Sequence, residues 1–125
     1  MLKLKNLLLG SLLVLACAGC GTSGPTLCEV EGVVTLDDKP VPDAELTFIP
    51  QNVPTTMVSY GRTDDNGRYK LAFTATKTGA IPATHHVRIE PPKGTKLPRK
   101  YKDDQTITAE VKKGRNVVDL RLTQK

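Results

Sequence analysis

Tryptophan is absent, and Phe48, Tyr60, Tyr69, Phe73 and Tyr101 are the only aromatic residues among 125. A core made from this chain must be mostly aliphatic. Charge of one sign is also scarce. Lys and Arg number 18 against 13 Asp and Glu, a net charge of +5. Without Lys3 and Lys5 the basic residues fall from 18 to 16, and the net charge to +3. That excess, with no aromatics interleaved for base stacking, excludes a nucleic-acid footprint and leaves a weak attraction to anionic surfaces. Cysteine is limited to three. Cys17 and Cys20 are spaced C-x-x-C but both close a leader, and Cys28 opens the domain; no Cys/His set with metal-ligand spacing accompanies them. No His-Glu-x-x-His or Gly-x-Ser-x-Gly motif occurs, so the common zinc-protease and serine-hydrolase signatures are missing.

What is present begins with delivery. Residues 1–5 carry Lys3 and Lys5, residues 7–16 form an apolar run, and Ala18-Gly19 are small. This is the three-part layout of a secretory signal peptide. The run is too short for a membrane-spanning helix, which needs roughly 20 apolar residues. Ala18-Gly19-Cys20-Gly21 resembles a bacterial lipoprotein signal. The resemblance implies a diacylglycerol thioether on Cys20, cleavage before it, and acylation of the new amino terminus. Cys17 stands where such signals usually carry Leu, three residues before the acceptor. Cys17 is itself an alternative acceptor, preceded by Val14-Leu15-Ala16. Cys20 is the preferred acceptor because Ala-Gly is the better small pair and Gly21-Thr22-Ser23-Gly24-Pro25 follows as a flexible tether. Ordinary secretion, with cleavage near Ala18, is the competing reading. Two or three acyl chains would anchor the protein firmly, whereas one chain binds only marginally. Thr22 is not the Asp that resembles an inner-membrane retention signal, which directs the expectation to the outer membrane or periplasmic face of the envelope.

The division that follows is a signal peptide over residues 1–19, a tether over 20–26 and one domain over 27–125. In the domain, 28–36, 44–48, 57–63, 68–73, 84–90, 106–111 and 117–122 read as short strands separated by turn residues, with no helical period. Cys28 to Pro50 reads as a strand, a turn at Asp37-Asp38-Lys39-Pro40 and a second strand. The alternation sets Val30, Val34 and Leu36; Ala44, Leu46 and Phe48; Val58 and Tyr60; Tyr69, Leu71 and Phe73; His85, Val87 and Ile89; Ile107, Ala109 and Val111; and Val118, Leu120 and Leu122 on single faces. Asn66-Gly67 signals a tight turn, and Gly32 inside a strand signals a bulge or close backbone approach. Seven short strands predict an all-β, antiparallel Greek-key sandwich.

Val30-x-Gly32-x-Val34-Thr35-Leu36-Asp37-x-Lys39-Pro40-Val41-Pro42-x-Ala44-x-Leu46-Thr47-Phe48-x-Pro50 resembles the opening of carboxypeptidase-regulatory-like domains, which are transthyretin-like (prealbumin-type) sandwiches. Thr63-Asp64-x-x-Gly67-Arg68-Tyr69-x-Leu71 is similar to a second family signature. Leu97-Pro98-x-Lys100-Tyr101-x-Asp103 and residues 111–122 are similar to the small lipoproteins of planctomycete type. The resemblance implies a scaffold rather than an activity. A hydroxyisourate hydrolase of this fold ends in Tyr-Arg-Gly-Ser, and this sequence ends Arg121-Leu122-Thr123-Gln124-Lys125.

No catalytic residue, metal site or cofactor is expected. Asp64-Asp65-Asn66 lacks the spacing of a calcium loop and reads as an acidic turn. His85 and His86 point to opposite faces of a strand and cannot chelate one ion. His85 is expected at the edge of the core and His86 in solvent. Cys28 is expected buried as a small apolar residue. The remaining candidate is the basic loop 93–102, with Lys93, Lys96, Arg99, Lys100 and Lys102. Within it Lys96, Arg99, Lys100 and Tyr101 are the candidate ligand-binding residues, with Tyr101 read as a lid on the core. The expected function is a non-catalytic, lipid-anchored envelope module that binds or scaffolds an envelope protein or polysaccharide. The alternative is a carbohydrate- or peptidoglycan-binding module acting through that loop, and a hydrolase ranks below both.

Overall fold

The structure is a computed structural model that describes residues 26–53, 57–102 and 107–124. The signal peptide, both candidate acceptors Cys17 and Cys20, and most of the tether lie outside these residues.

Apolar side chains at every second position turn the chain into strands whose inner rows meet. The strands are β1 (Glu29–Leu36), β2 (Lys39–Pro40), β3 (Glu45–Pro50), β4 (Ser59–Arg62), β5 (Arg68–Lys70), β6 (Ala83–Glu90), β7 (Ile107–Val111), β8 (Arg115–Val117) and β9 (Leu120–Leu122). A short 3-10 turn, Arg99–Lys102, precedes β7. Two sheets result, stacked as in a sandwich. One is four-stranded, ordered β4-β3-β6-β7 and antiparallel throughout. The other is built around β1.

β1 is paired on both sides. Leu71 donates to the Val30 carbonyl and Val34 donates to the Gly67 carbonyl, placing β5 on one flank; Val41 donates to the Val34 carbonyl, placing β2 on that same flank. On the other flank β8 and then β9 run parallel to β1. The sheet is therefore mixed, not wholly antiparallel. Parallel pairing needs a long crossover, and here the whole second sheet lies between β1 and β8.

The flank is tightest at Gly32. A Cβ there would lie 1.9 Å from the Val118 carbonyl oxygen, so the close approach expected at this glycine is present. The ladder breaks between β8 and β9, and side chains fill the break. Val33 N–H donates to Asp119 Oδ1 at 3.0 Å, and the Tyr69 hydroxyl donates to the Val118 carbonyl at 2.5 Å.

The core lies between the sheets. Val30, Val34, Tyr69, Leu71, Leu120 and Leu122 face Leu46, Phe48, Val87, Ile89, Ala109 and Val111, all buried. Cys28 is also buried and free. Phe48 packs against Tyr69 of one sheet and His85 of the other, with centroids 6.2 and 5.7 Å away.

Further expectations are corrected. The stretch from Cys28 to Pro50 is not one hairpin: β1 pairs with the two-residue β2, and β3 crosses to the other sheet. The crossing uses Asp43 at φ 54, with Ala44 N–H donating to the buried Thr63 hydroxyl, which itself donates to the Val41 carbonyl. The phase of β4 is inverted. Ser59 is fully buried with its hydroxyl donating to the Gly79 carbonyl at 2.9 Å, while Tyr60 is 58% exposed. The 117–122 segment is split into β8 and β9 around Val118-Asp119. His85 is not at the edge of the core but fully buried, and His86 is half-buried.

The Asn66-Gly67 turn also forms differently from the type I′ hairpin turn that Asn-Gly favours, which needs positive φ at both central residues. Only Gly67 has it, at φ 77. Asp64 organises the turn instead, its Oδ1 accepting from the N–H groups of Asn66 and Arg68 at 2.8 and 2.9 Å.

Candidate functional site

The basic loop follows β6 because Pro91 and Pro92 lack the N–H that would extend the strand. A turn closes with Thr95 N–H donating to the Pro92 carbonyl, and Gly94 sits at φ 89. Leu97 and Tyr101 are both buried and fasten the loop to the core. Lys93, Lys96 and Arg99 project into solvent.

Tyr101 is 8% exposed, so its ring closes the core and has no open face on which a ligand could stack. Thr123 N–H donates to its hydroxyl at 2.9 Å. The Lys100 ammonium lies 5.0 Å from the ring centroid and donates to the Thr123 hydroxyl at 3.3 Å. Burial pushes the Tyr101 phenol up, but the Thr123 hydrogen bonds and the Lys100 charge outweigh it and leave it below the ordinary value. Of the four residues singled out in the loop, Lys100 and Tyr101 are brought together. Lys96 and Arg99 are displayed separately. The side chain of Lys102, and Asp103 and Asp104, fall outside the described residues.

The loop has a definite place. Thr123 follows β9, Leu122 pairs with Leu36, and Asp37 N–H donates to the Leu122 carbonyl. The loop therefore sits where β1 ends. Cys28 sits where β1 begins, bridged to Ala80. The eight residues of β1 separate the two ends by about 26 Å.

A second concave region was not found by sequence reading. It is a groove of about 520 Å³ on the outer face of the four-stranded sheet, lined by Glu45, Thr47, Tyr60, Arg62, Lys70 and Glu90 among others. Arg62 pairs with Asp43 at 2.9 Å and with Glu45. Glu45 stands directly opposite Glu90, a like-charge arrangement that Arg62 offsets. Tyr60 borders this groove because Ser59, not Tyr60, faces the core. The only signal available in the sequence was the capacity of a small hydroxyl to bury itself against a backbone carbonyl.

The remaining titratable groups serve the fold. His85 Nε2 donates to the Ile81 carbonyl at 2.9 Å, so Nδ1 is the unprotonated nitrogen, and it has no hydrogen-bond partner among the described residues. Burial holds the imidazole below its ordinary value, against the opposing effect of the Ile81 carbonyl. Burial pushes the Tyr69 phenol well up, and the Asp119 carboxylate adds to this. Asp64 is committed to its turn. Among the described residues no three His, Cys, Asp or Glu side chains converge on a point that could hold a metal ion.

Comparison with known proteins adds one partial similarity. An uncharacterized protein of Archaeoglobus fulgidus is 32% identical over 78 residues, covering 62% of this chain and 8% of that protein. The chain thus spans under a tenth of the length of the relative it matches. No family model matches the chain, and no solved structure matches it.

Proposed function

We propose that this chain is a non-catalytic, lipid-anchored β-sandwich module of a bacterial cell envelope, with a Greek-key topology akin to that of carboxypeptidase-regulatory-like, transthyretin-type domains, although its described residues form nine strands where seven were expected. The observation that carries the reading is the order of its parts. Ala18-Gly19-Cys20 ends an apolar leader, and a strand of a packed sandwich begins at Glu29. Such a protein needs no active site to act. It presents a rigid surface close to a membrane, where an envelope protein or polysaccharide binds it. Labelling cells with an alkyne-tagged fatty acid tests the anchor. Incorporation into the wild type that is lost in Cys20→Ala and kept in Cys17→Ala supports it. Wild-type protein that takes up no label overturns it.

A second reading, a glycan-binding module using loop 93–102, is favoured by Lys93, Lys96 and Arg99 standing out from a loop pinned by Leu97 and Tyr101. Polyanionic or peptidoglycan strands would meet exposed cations with little backbone rearrangement. Pull-down on purified peptidoglycan tests it. Loss of retention in Lys96→Ala/Arg99→Ala/Lys100→Ala supports the loop, and unchanged retention removes it from the site.

A further inference from the structure

The two ends of the sandwich carry different basic groups, and topology decides which end meets a membrane. This inference rests on the reading of Cys20 as the lipid acceptor. From Cys20 to Thr26, the first described residue, is a stretch of six residues. A chain of that length reaches at most about 20 Å. The end bearing Cys28 is therefore the one the anchor can hold close to the lipid, and loop 93–102 lies at the other end of β1, about 26 Å away.

The β7–β8 turn lies at the Cys28 end. β8 starts opposite Glu29 and runs parallel to β1, Val111 pairs with Ala83, and Asn116 Nδ2 donates to the Glu29 carbonyl. The turn places Lys112, Lys113 and Arg115 around Gly114 at φ 96, and all three cations are exposed. Asn116 shapes it. Its Oδ1 accepts from Lys112 N–H at 2.9 Å, and its Nδ2 donates to the Lys112 carbonyl at 2.8 Å. Lys77, on the turn after β5, is a fourth exposed cation toward this end. Glu31 pairs with Arg115 at 3.0 Å and Glu110 with Lys112 at 4.0 Å, both acids lying further back along their strands. Glu29 is the other acid nearby. Lys113, at the tip, has no ion-pair partner among the described residues.

We infer that the Lys112–Arg115 turn is a contact surface for anionic lipid headgroups, which holds the sandwich upright on its anchor with loop 93–102 facing away from that membrane. Headgroup phosphates match exposed ammonium and guanidinium groups, and the attraction acts only within about a Debye length of the surface. The short tether keeps this turn within that range, and headgroup contact there turns the far end of β1, with its loop, away from the lipid. Loop 93–102 is thereby left for a partner in the envelope space, not for the lipid surface to which the chain is attached.

The test uses the mature lipoprotein reconstituted into vesicles of phosphatidylcholine, with or without phosphatidylglycerol. A fluorophore is attached at Thr76→Cys, exposed at the Cys28 end and outside the Lys112–Arg115 turn, or, separately, at Lys96→Cys, with Cys28 buried and out of reach of the label. A quencher carried on lipid headgroups reports proximity. In phosphatidylglycerol vesicles, quenching at position 76 is expected to exceed that at 96 several-fold. It should drop toward the level seen in pure phosphatidylcholine when Lys77→Glu and Lys112→Glu are added, or at high salt. Flotation with equal quenching at both sites, stronger quenching at 96, or indifference to charge reversal overturns this inference and leaves the anchor standing. Failure of the protein to float at all overturns the anchor and this inference together.

Discussion

The two sheets solve the same problem by different means. In the four-stranded sheet, β3 and β6 pair over six residues and β6 and β7 over five, so backbone groups satisfy one another along uninterrupted ladders. In the sheet around β1, no neighbour pairs with it over more than three residues. Side chains take over where the ladders stop. Asp119 accepts from Val33 N–H, Asn116 from Lys112 N–H, and Asp64 from the Asn66 and Arg68 N–H groups. The lesson is that the regular sheet depends on its apolar inner face, and the interrupted one on particular polar residues and on one glycine. Substitutions should separate these dependences.

The largest effect is expected where the sheets meet. Phe48 is fully buried and touches a ring from each sheet. Phe48→Ala should destabilise by about 4 kcal/mol, the range for deleting a buried aromatic ring, measured by urea denaturation. Next is Gly32→Val. Its Cβ would meet the Val118 carbonyl at 1.9 Å, and backbone cannot yield as a side chain can. The loss should be about 3 kcal/mol, with hydrogen exchange accelerating at Val118 N–H, which donates to the Glu31 carbonyl, before it does in β3 or β6. Exchange rising equally in both sheets would break the comparison.

Acid should act on the regular sheet through His85. Its folded-state value lies below the ordinary 6.5, so the unfolded chain takes up the proton first. Stability from the neutral ring is full above about pH 6.5 and falls as the pH drops below it. One proton limits the slope to about 1.4 kcal/mol per pH unit, so no more than about 2 kcal/mol is lost by pH 5. The groups around the ring, Phe48, the Ile81 carbonyl and the cross-strand Ala109, supply no charge to offset this. His85→Phe should flatten the dependence between pH 7 and 5. An unchanged profile would show that the titration belongs elsewhere.

Much of the core was legible in the sequence, and its pairing was not. Alternation picks out Val30 and Val34, Leu46 and Phe48, Val87 and Ile89, Ala109 and Val111, and Leu120 and Leu122 as inward residues, because a period of two fixes the face of a strand. The same period is silent about which strand lies alongside. Hence residues 28–50 read as one hairpin, although Asp43 at positive φ sends β3 to the other sheet, and nothing local announces that β8 will lie beside β1. Hydrophobicity also misplaced Tyr60, since Ser59 is the residue that finds a buried carbonyl. Of the candidate site, the loop and its cations were legible. Its position opposite Cys28 depends on the pairing of Leu36 with Leu122, which lies outside any local pattern.

The smallest effect expected within the interrupted sheet, and the most direct probe of the difference between the sheets, is at Asp119. Its carboxylate stands in for a missing ladder carbonyl opposite Val33 and raises the neighbouring Tyr69 phenol through its charge. Asp119→Ala removes both influences. Because the side chain is exposed, water recovers part of the lost hydrogen bond, and the cost should be only about 1 kcal/mol. Asp119→Asn keeps an oxygen acceptor for Val33 and should recover most of that loss. Both variants should lower the alkaline titration of Tyr69 followed by ultraviolet absorbance, since both remove the charge. Truncating an exposed residue on the regular sheet, Thr108→Ala, should change stability by less than about 0.5 kcal/mol. If Asp119→Ala is equally silent while Asp119→Asn and Asp119→Ala shift Tyr69 alike, the carboxylate acts there only as a charge, and the interrupted sheet holds through Gly32 and its buried face alone.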